Sequence, residues 1–365
     1  MVYLDNGATS FPKPLAVRQA VAEAMERCAN PGRGGHQWAA NAAQILYAVR
    51  ESAGRLFECK PEQVVFTQNC THGLNMAIRS IVPRGGRVVI SGFEHNAVTR
   101  PLHHLGAKIT VAGRKLFDWE DTLRCFHRAL QGKVDAVVMT HVSNVFGYIL
   151  PIRELAAMCR KRGIPFIIDA AQSAGTERVS LAELGADFIA MPGHKGLLGP
   201  MGTGLLLCGR IPAPLLQGGT GSESVLQKMP DFLPDRGEAG TLNVPGIAGM
   251  GAGIELVAVR GPERIGRKEA ALAAQAARML ERLGMEAFHG PGQGGTVSFR
   301  CGVDCEEAAE RLARADIAVR AGLHCAPLAH KSAGTLNTGT VRLSFGYENT
   351  QKDLKELEQA VKSLL

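Results

Sequence analysis

The sequence predicts an α/β fold: a mainly parallel seven-stranded sheet in a large unit, joined to a smaller α+β unit at the C-terminal end. Three observations predict it. Seven short apolar runs recur through the first 255 residues, amphipathic stretches separate them, and this rhythm stops near residue 209. Short apolar runs alternating with helical patterns indicate parallel strands buried on both faces by helices. A chain of 365 residues is also long for one compact domain and suits two.

The runs, in order, are "VVFT" (64–67), "RVVIS" (87–91), "KITVA" (108–112), "DAVVMT" (135–140), "PFIID" (165–169), "ADFIAM" (186–191) and "GLLLC" (204–208). Amphipathic stretches at 95–105, 118–131 and 151–162 read as helices between them. Residues 209–243 are rich in Gly, Ser and Pro and have little periodicity, and so long a loop is uncommon unless it is functional. Helical patterns follow at 244–259 and 262–283. Then come "TVSFR" (296–300), a helix at 304–314, "IAVRAG" (317–322), "TVRLSF" (340–345) and a last helix at 350–364. The division expected is 15–255 for the large unit, with 1–14 and 256–365 forming the small one.

Composition excludes several classes. Hydrophobic residues at 45% and charged residues at 21% are ordinary for a globular protein. The formal charge of +7 comes from scattered Lys and Arg, densest in "CRKRG" (159–163), which suits a small anionic ligand better than nucleic acid. Nine cysteines without a CxxC suggest neither a disulfide framework nor a zinc pattern, and no metal site is expected. With no signal-like start and no 18-residue apolar run, a reducing cytoplasm and no membrane contact are the expectation.

Ligands of open α/β sheets bind at the carboxyl ends of strands. The residues following each run are therefore the candidates. "QNCTHGLNMAI" opens a helix at Thr71, whose hydroxyl and helix-turn N–H groups suit a phosphate. "GFEHNAV" brings His95, "HVSNVFG" brings Asn144, and "DAAQ" brings Asp169 and Gln172. "MPGHKGLLGPMGTG" brings His194 and a lone Lys195 among glycines. Each has a plain structural reading as well: Thr71 and Asp169 as caps, Asn144 as a turn residue, Gln172 and Lys195 as solvated. Together they suit one ligand. No GxxxxGK[ST] or early G-x-G-x-x-G is present, so ATP and NAD fit poorly. Pyridoxal 5′-phosphate needs a lysine for a Schiff base, an aspartate for its ring nitrogen and a phosphate cradle, and fits well.

The stretches "YLDNGATSFPKP", "EHNAV", "HVSNVFG", "IDAAQSAG", "GHKGLLGPMGTG", "RGEAGTLNVPG" and "RAGLHCAPLAH…VRLSFGYENT" together resemble the class V aminotransferase family. Within it they resemble the cysteine desulfurases and selenocysteine lyases, along essentially the whole chain. The resemblance implies a fold type I pyridoxal-phosphate enzyme. Lys195 would carry the cofactor and Asp169 pair with its ring nitrogen. His95 would stack on the ring and assist proton transfer, and Gln172 and Asn144 would contact the ring oxygen or substrate. Thr71 and His194 would hold the phosphate, with Thr241 reaching it from the second subunit of a homodimer. Two positions depart from the family pattern. Pro192 and Cys70 stand where a phosphate-binding Ser and a Thr are common, which shifts phosphate binding towards the helix N-terminus and His194.

The cysteine in "RAGLHCAPL" narrows the reaction. Cys325 has Arg320 and His324 close in sequence, and nearby cations favour the thiolate. In the desulfurases this motif supplies the nucleophile that takes sulfur as a persulfide; the other reading is a buried structural thiol. Arg342 resembles the arginine that grips the α-carboxylate. Arg320, and His36 in "GRGGHQ", resemble substrate-side residues. The short interval from Cys325 to Arg342 resembles the group II enzymes, which commonly hand sulfur to a partner protein. The resemblance therefore implies L-cysteine as substrate and alanine as product. L-selenocysteine, another lyase or transferase activity of the family, and a non-catalytic binding protein are the alternatives.

Overall fold

The computed structural model describes residues 1–32 and 34–364. The strands are β1 (Val2–Tyr3), β2 (Val64–Thr67), β3 (Arg87–Ser91), β4 (Lys108–Ala112), β5 (Ala136–Thr140), β6 (Phe166–Asp169), β7 (Phe188–Pro192), β8 (Gly204–Cys208), β9 (Glu286–Phe288), β10 (Thr296–Arg300), β11 (Ile317–Ala318), β12 (Arg320–Gly322) and β13 (Thr340–Ser344). The seven runs read from the sequence are β2 to β8, and they form one sheet in the order β2-β8-β7-β6-β5-β3-β4. Only β8 runs antiparallel to its neighbours.

Why these runs are apolar throughout is visible in the core. Side chains alternate across a strand. On one face, Phe66, Val89, Val137, Met139, Ile168, Ile189 and Leu205 pack together beneath the helix Gln37–Phe57. On the other, Val65, Val88, Ile90, Val138, Ile167, Ala190 and Leu206 pack against the helix Cys70–Ile81. Both faces of the inner strands are covered, so they show no polar alternation; edge strand β4 does alternate, with Lys108 and Thr110 exposed between the half-buried Ile109 and Val111.

β9, β10, β12 and β13 form a second, antiparallel sheet, and β1 pairs in parallel with β11. Val2 and Leu4 share a core with Leu272, Val297, Phe299, Val341 and Leu343. "IAVRAG", read as one strand, is two: residues 317–318 pair with β1, and 320–322 with β13. The helix Val244–Arg260 runs unbroken through residue 255. No helix among the described residues is long and apolar enough to cross a membrane.

The segment 209–243 holds little regular structure, only the short turn Asp235–Gly237. Its fixed point is Glu238. Both carboxylate oxygens bond the Arg50 guanidinium, at 2.9 and 2.6 Å, and one accepts the Phe66 N–H at 2.6 Å. Arg50 also donates to the Val64 carbonyl and lies 4.2 Å from the Phe66 ring centroid. Each residue of the pair is only 8% exposed. Removing one partner of such a pair leaves a buried charge uncompensated. Glu238→Ala is expected to lose about 3–5 kcal/mol of stability, measured as a lowered urea midpoint. A change below about 1 kcal/mol would mean that water or movement rescues Arg50.

Candidate active site

The carboxyl ends of β2, β3, β5, β6 and β7 deliver the candidate residues to one edge of the sheet. Asp169 ends β6 and is 2% exposed. Its Oδ1 accepts the Ala171 N–H at 2.9 Å and the Cys70 thiol at 3.4 Å, while Oδ2 makes no hydrogen bond among the described residues. Lys195 lies in the turn after β7, and its ammonium has no hydrogen-bond partner among the described residues. Burial pushes its pKa down, and the Asp169 carboxylate opposes the shift. The shift favours the neutral amine, the form that can act as a base.

His95 caps the helix Asn96–His104, its Nδ1 accepting the Ala97 N–H at 3.0 Å. The neutral ring therefore carries its proton on Nε2. Burial lowers its pKa and Asp169 acts in the opposite sense. Thr71 does not open its helix as expected. The helix starts at Cys70, and Asn69 is the cap, taking the His72 N–H at 2.9 Å. The Thr71 hydroxyl stays free and exposed, and the first N–H groups of the helix have no intrahelical partner. The Cys70 thiol is turned onto Asp169 and not towards a phosphate, and burial pushes its pKa well up. His194 is pushed down to about 4 by burial and by its cationic neighbours Lys195 and Lys13. It is therefore a neutral donor–acceptor at neutral pH, with a buried Nδ1 that lacks a partner. Its carbonyl is gripped by Lys13 Nζ at 2.8 Å, Thr9 Oγ1 at 3.0 Å and the Ser10 N–H at 3.0 Å.

The small unit contributes the rest. Arg342, on β13 and 2% exposed, donates through Nη2 to Asp5 Oδ1 at 2.7 Å and through Nη1 to the Asn144 carbonyl at 3.0 Å. Its Nε–H is buried without a partner, so a donor is left for a ligand. Arg320 reaches the other oxygen of Asp5 at 2.9 and 3.0 Å. One carboxylate thus holds two guanidinium groups and leaves a net positive charge.

Cys325 is exposed, and the loop before it is tightly held. Asn144 Nδ2 donates to the His324 carbonyl at 2.8 Å, and the Asn96 N–H donates to the Cys325 carbonyl at 2.8 Å. His324 and Cys325 both have positive φ, 52° and 55°, a conformation that non-glycine residues adopt only when surroundings enforce it. Cys325, His95, Thr71 and Arg100 line one opening of about 350 Å³. His324 does not act as the cation expected beside the thiol. Burial drives its pKa down to about 2, and neither ring nitrogen has a partner. The positive charge near the loop comes from Arg320 and Arg342.

Gln172 lines a cavity together with Lys195, whereas Thr241 and His36 are not part of that lining. Gln172 is half-buried, its amide bonded to the Gly7 carbonyl at 3.0 Å. Thr241 is exposed, and its side chain makes no hydrogen bond among the described residues. His36 is an exposed cap, its Nδ1 taking the Ala39 N–H at 3.3 Å. Arg33 of "GRGGHQ" lies outside the described residues. Sequence reasoning missed Asp5, although it stands inside the quoted "YLDNGATSFPKP". A lone acid at a strand end carries no periodic signal, and only two arginines from distant sequence give it a role.

The chain matches the family model described as aminotransferase class-V over residues 2–357. It is 32% identical to a probable cysteine desulfurase of Methanothermobacter thermautotrophicus, covering 100% of this chain and 94% of the relative. A probable cysteine desulfurase of Pyrococcus abyssi is also 32% identical, with 100% and 95% covered. Among solved structures, the apo cysteine desulfurase of Thermococcus onnurineus superposes with a TM-score of 0.92 at 31% identity, covering 100% of this chain and 94% of that one. An S-sulfonic acid form of an Escherichia coli cysteine desulfurase gives 0.87 at 26% identity, with 99% and 94% covered. The protein is an α/β enzyme of the pyridoxal-phosphate-dependent type. It belongs to the class-V aminotransferase family.

Members of this family use pyridoxal 5′-phosphate, and the residues present fit it. An unpartnered lysine amine, a carboxylate with one free oxygen, a neutral imidazole with an orphaned nitrogen and an open helix N-terminus meet at one edge of the sheet.

Proposed function

We propose that this protein is a cysteine desulfurase: it converts L-cysteine to L-alanine and keeps the sulfur as a persulfide on Cys325. The observation that carries the reading is the fixed placement of an exposed Cys325 beside His95, with its loop anchored by Asn144 and Asn96. Homologues across the whole chain named as probable cysteine desulfurases support it.

Lys195 would hold the cofactor covalently, Asp169 Oδ2 would meet its ring nitrogen, and Thr71, His194 and the helix N-terminus would take its phosphate. The cofactor supplies an electron sink at the substrate's α-carbon. The chain's residues do the rest. Arg342 Nε binds the substrate α-carboxylate, in a field kept positive because Asp5 neutralises only one of two arginines. Lys195, with its lowered pKa, moves the α-proton. His95 lines the same opening as Cys325 and would exchange a proton there through Nε2. Cys325 attacks the substrate sulfur: an S–S bond forms and the substrate C–S bond breaks. Sulfur is oxidised to the persulfide level as the β-carbon is reduced to the methyl of alanine, so no outside oxidant is required. Purified holoenzyme should release one alanine per persulfide formed, and absence of alanine from L-cysteine would overturn the reading.

Arg342→Lys keeps a charge for Asp5 but loses the fork. It should raise KM for L-cysteine about tenfold to a hundredfold, since a charge-assisted hydrogen bond contributes about 1.5–3 kcal/mol. Cofactor absorbance should stay unchanged. An unaltered KM would place the carboxylate elsewhere.

A small unit of 1–14 and 261–365 against a large one of 15–260 fits the separate cores better than a boundary at 255, because the helix Val244–Arg260 is continuous. A homodimer accounts for Leu15, Met25, Trp38 and Tyr47 exposed on the first two helices, and would leave Thr241 available to the second subunit. Nine free cysteines suit a reducing cytoplasm. The exposed Cys325 suits hand-over of sulfur to an acceptor protein.

A further inference from the structure

From β3 the chain steps to β4 on one side and then to β5 on the other, so the crevice of this open sheet lies between the carboxyl ends of β3 and β5. Ladder pairing of the two strands stops at Ile90 and Val138. Beyond it, one side chain joins them. Glu94 is wholly buried. Its Oε1 accepts the Ser91 N–H at 3.2 Å and the Ser91 hydroxyl at 2.5 Å, and the Thr140 N–H reaches Oε1 and Oε2 at 3.1 and 3.0 Å. Both ends of this bridge lead to the site. Thr140 pairs with Asp169 in the ladder of β5 and β6, and the His141 N–H donates to the Asp169 carbonyl at 2.9 Å. On the other side, His95 follows Glu94 directly. The turn between is held as well: Ser91 Oγ accepts the Phe93 N–H at 3.1 Å, and Ser332 Oγ donates to the Gly92 carbonyl at 2.8 Å.

Burying an acid is costly unless its hydrogen bonds are met, and here they are met by groups from two strands that no longer pair with each other. We propose that Glu94 is a positioning residue for the reaction: by bridging the ends of β3 and β5 it fixes His95 relative to Asp169. It touches no substrate and acts through the imidazole that follows it. Burial pushes Glu94 up to about 8, with help from the Asp169 carboxylate and against the pull of its Ser91 and Thr140 hydrogen bonds. The bridge does not depend on the charge, because a carboxyl oxygen accepts an N–H in either protonation state. The inference rests on the desulfurase reading for the role of His95.

The test is a double-mutant cycle on the holoenzyme, combining Glu94→Asp, whose arm is one methylene shorter, with His95→Ala. Glu94→Asp alone should lower kcat for alanine formation about tenfold or more and change KM less than about threefold. In the His95→Ala background the same substitution should lower kcat less than about threefold, since no imidazole is left to misplace. Histidine ¹⁵N NMR supplies a readout without turnover, the His95 signal being the one lost in His95→Ala. The wild-type ring should carry its proton on Nε2 and titrate below the usual value of about 6.5, because burial lowers it. In Glu94→Asp it should titrate higher, closer to that usual value. Should Glu94→Asp fail to fold, Ser91→Ala, which removes the hydroxyl bonded to Glu94, goes through the same cycle and titration with the same signs expected. An unchanged kcat, equal losses in both backgrounds, or an unmoved His95 titration would overturn the proposal. A wild-type enzyme that forms no alanine would instead sink the desulfurase reading, and the titration alone would then decide whether Glu94 positions His95.

Discussion

Lys195→Ala is expected to lose turnover of L-cysteine by about 10³-fold or more, and to lose the visible absorbance of the lysine-bound cofactor with it. The expectation rests on where the amine sits. Lys195 has no hydrogen-bond partner among the described residues, and its pKa is lowered by burial. Nothing else in that turn can take its place, since His194 is neutral and half-buried with its carbonyl held by Lys13. The glycines around Lys195 do not tolerate side chains: a Cβ on Gly196 would lie 2.3 Å from the Ala174 carbonyl oxygen, and one on Gly193 would lie 2.1 Å from Thr203 Oγ1. The turn is therefore built to place one amine. The test is an absorbance spectrum and an alanine assay on the same preparation. Full activity in Lys195→Ala would remove the enzymatic reading altogether.

Cys325→Ala is expected to bind the cofactor normally and to lose desulfuration of L-cysteine by on the order of 10²-fold or more, since the nucleophile is gone. The loop should survive the change, because its anchors are backbone carbonyls taken by Asn144 and Asn96. The left-handed φ at position 325 is no better for Ala than for Cys, so a small loss of stability is not diagnostic. Cleavage of L-selenocysteine should persist in part, because selenide leaves more readily than sulfide. The same two substrates separate the alternatives: a wild-type protein that cleaves only selenocysteine would be a lyase, with no need of Cys325.

Much of the fold was legible because the central strands are buried on both faces, so each short apolar run between helical stretches marks a strand. The shortest elements were not. β1 is two residues long and β9 three, below the length at which alternation is visible. The break inside "IAVRAG" follows from β11 and β12 having different partners, which a local pattern does not encode. In the site, Lys195, Asp169 and His95 were legible as polar groups at strand ends. Asp5 was not, because its role depends on Arg320 and Arg342 arriving from the other end of the chain. The charge of His324 was misread for a physical reason. Proximity in sequence to Cys325 says nothing of burial, and burial holds this imidazole neutral. Glu238 lay in a stretch without periodicity, and its buried pairing with Arg50 emerges only in three dimensions.

The central claim is that Cys325 takes the sulfur. The most direct measurement is mass spectrometry of wild-type holoenzyme incubated with L-cysteine without reductant, then blocked and digested. One added sulfur atom on the peptide containing Cys325, absent from Lys195→Ala treated alike, is the predicted result. An added sulfur on any of the other eight cysteines instead, or alanine formed at the wild-type rate by Cys325→Ala, would contradict it.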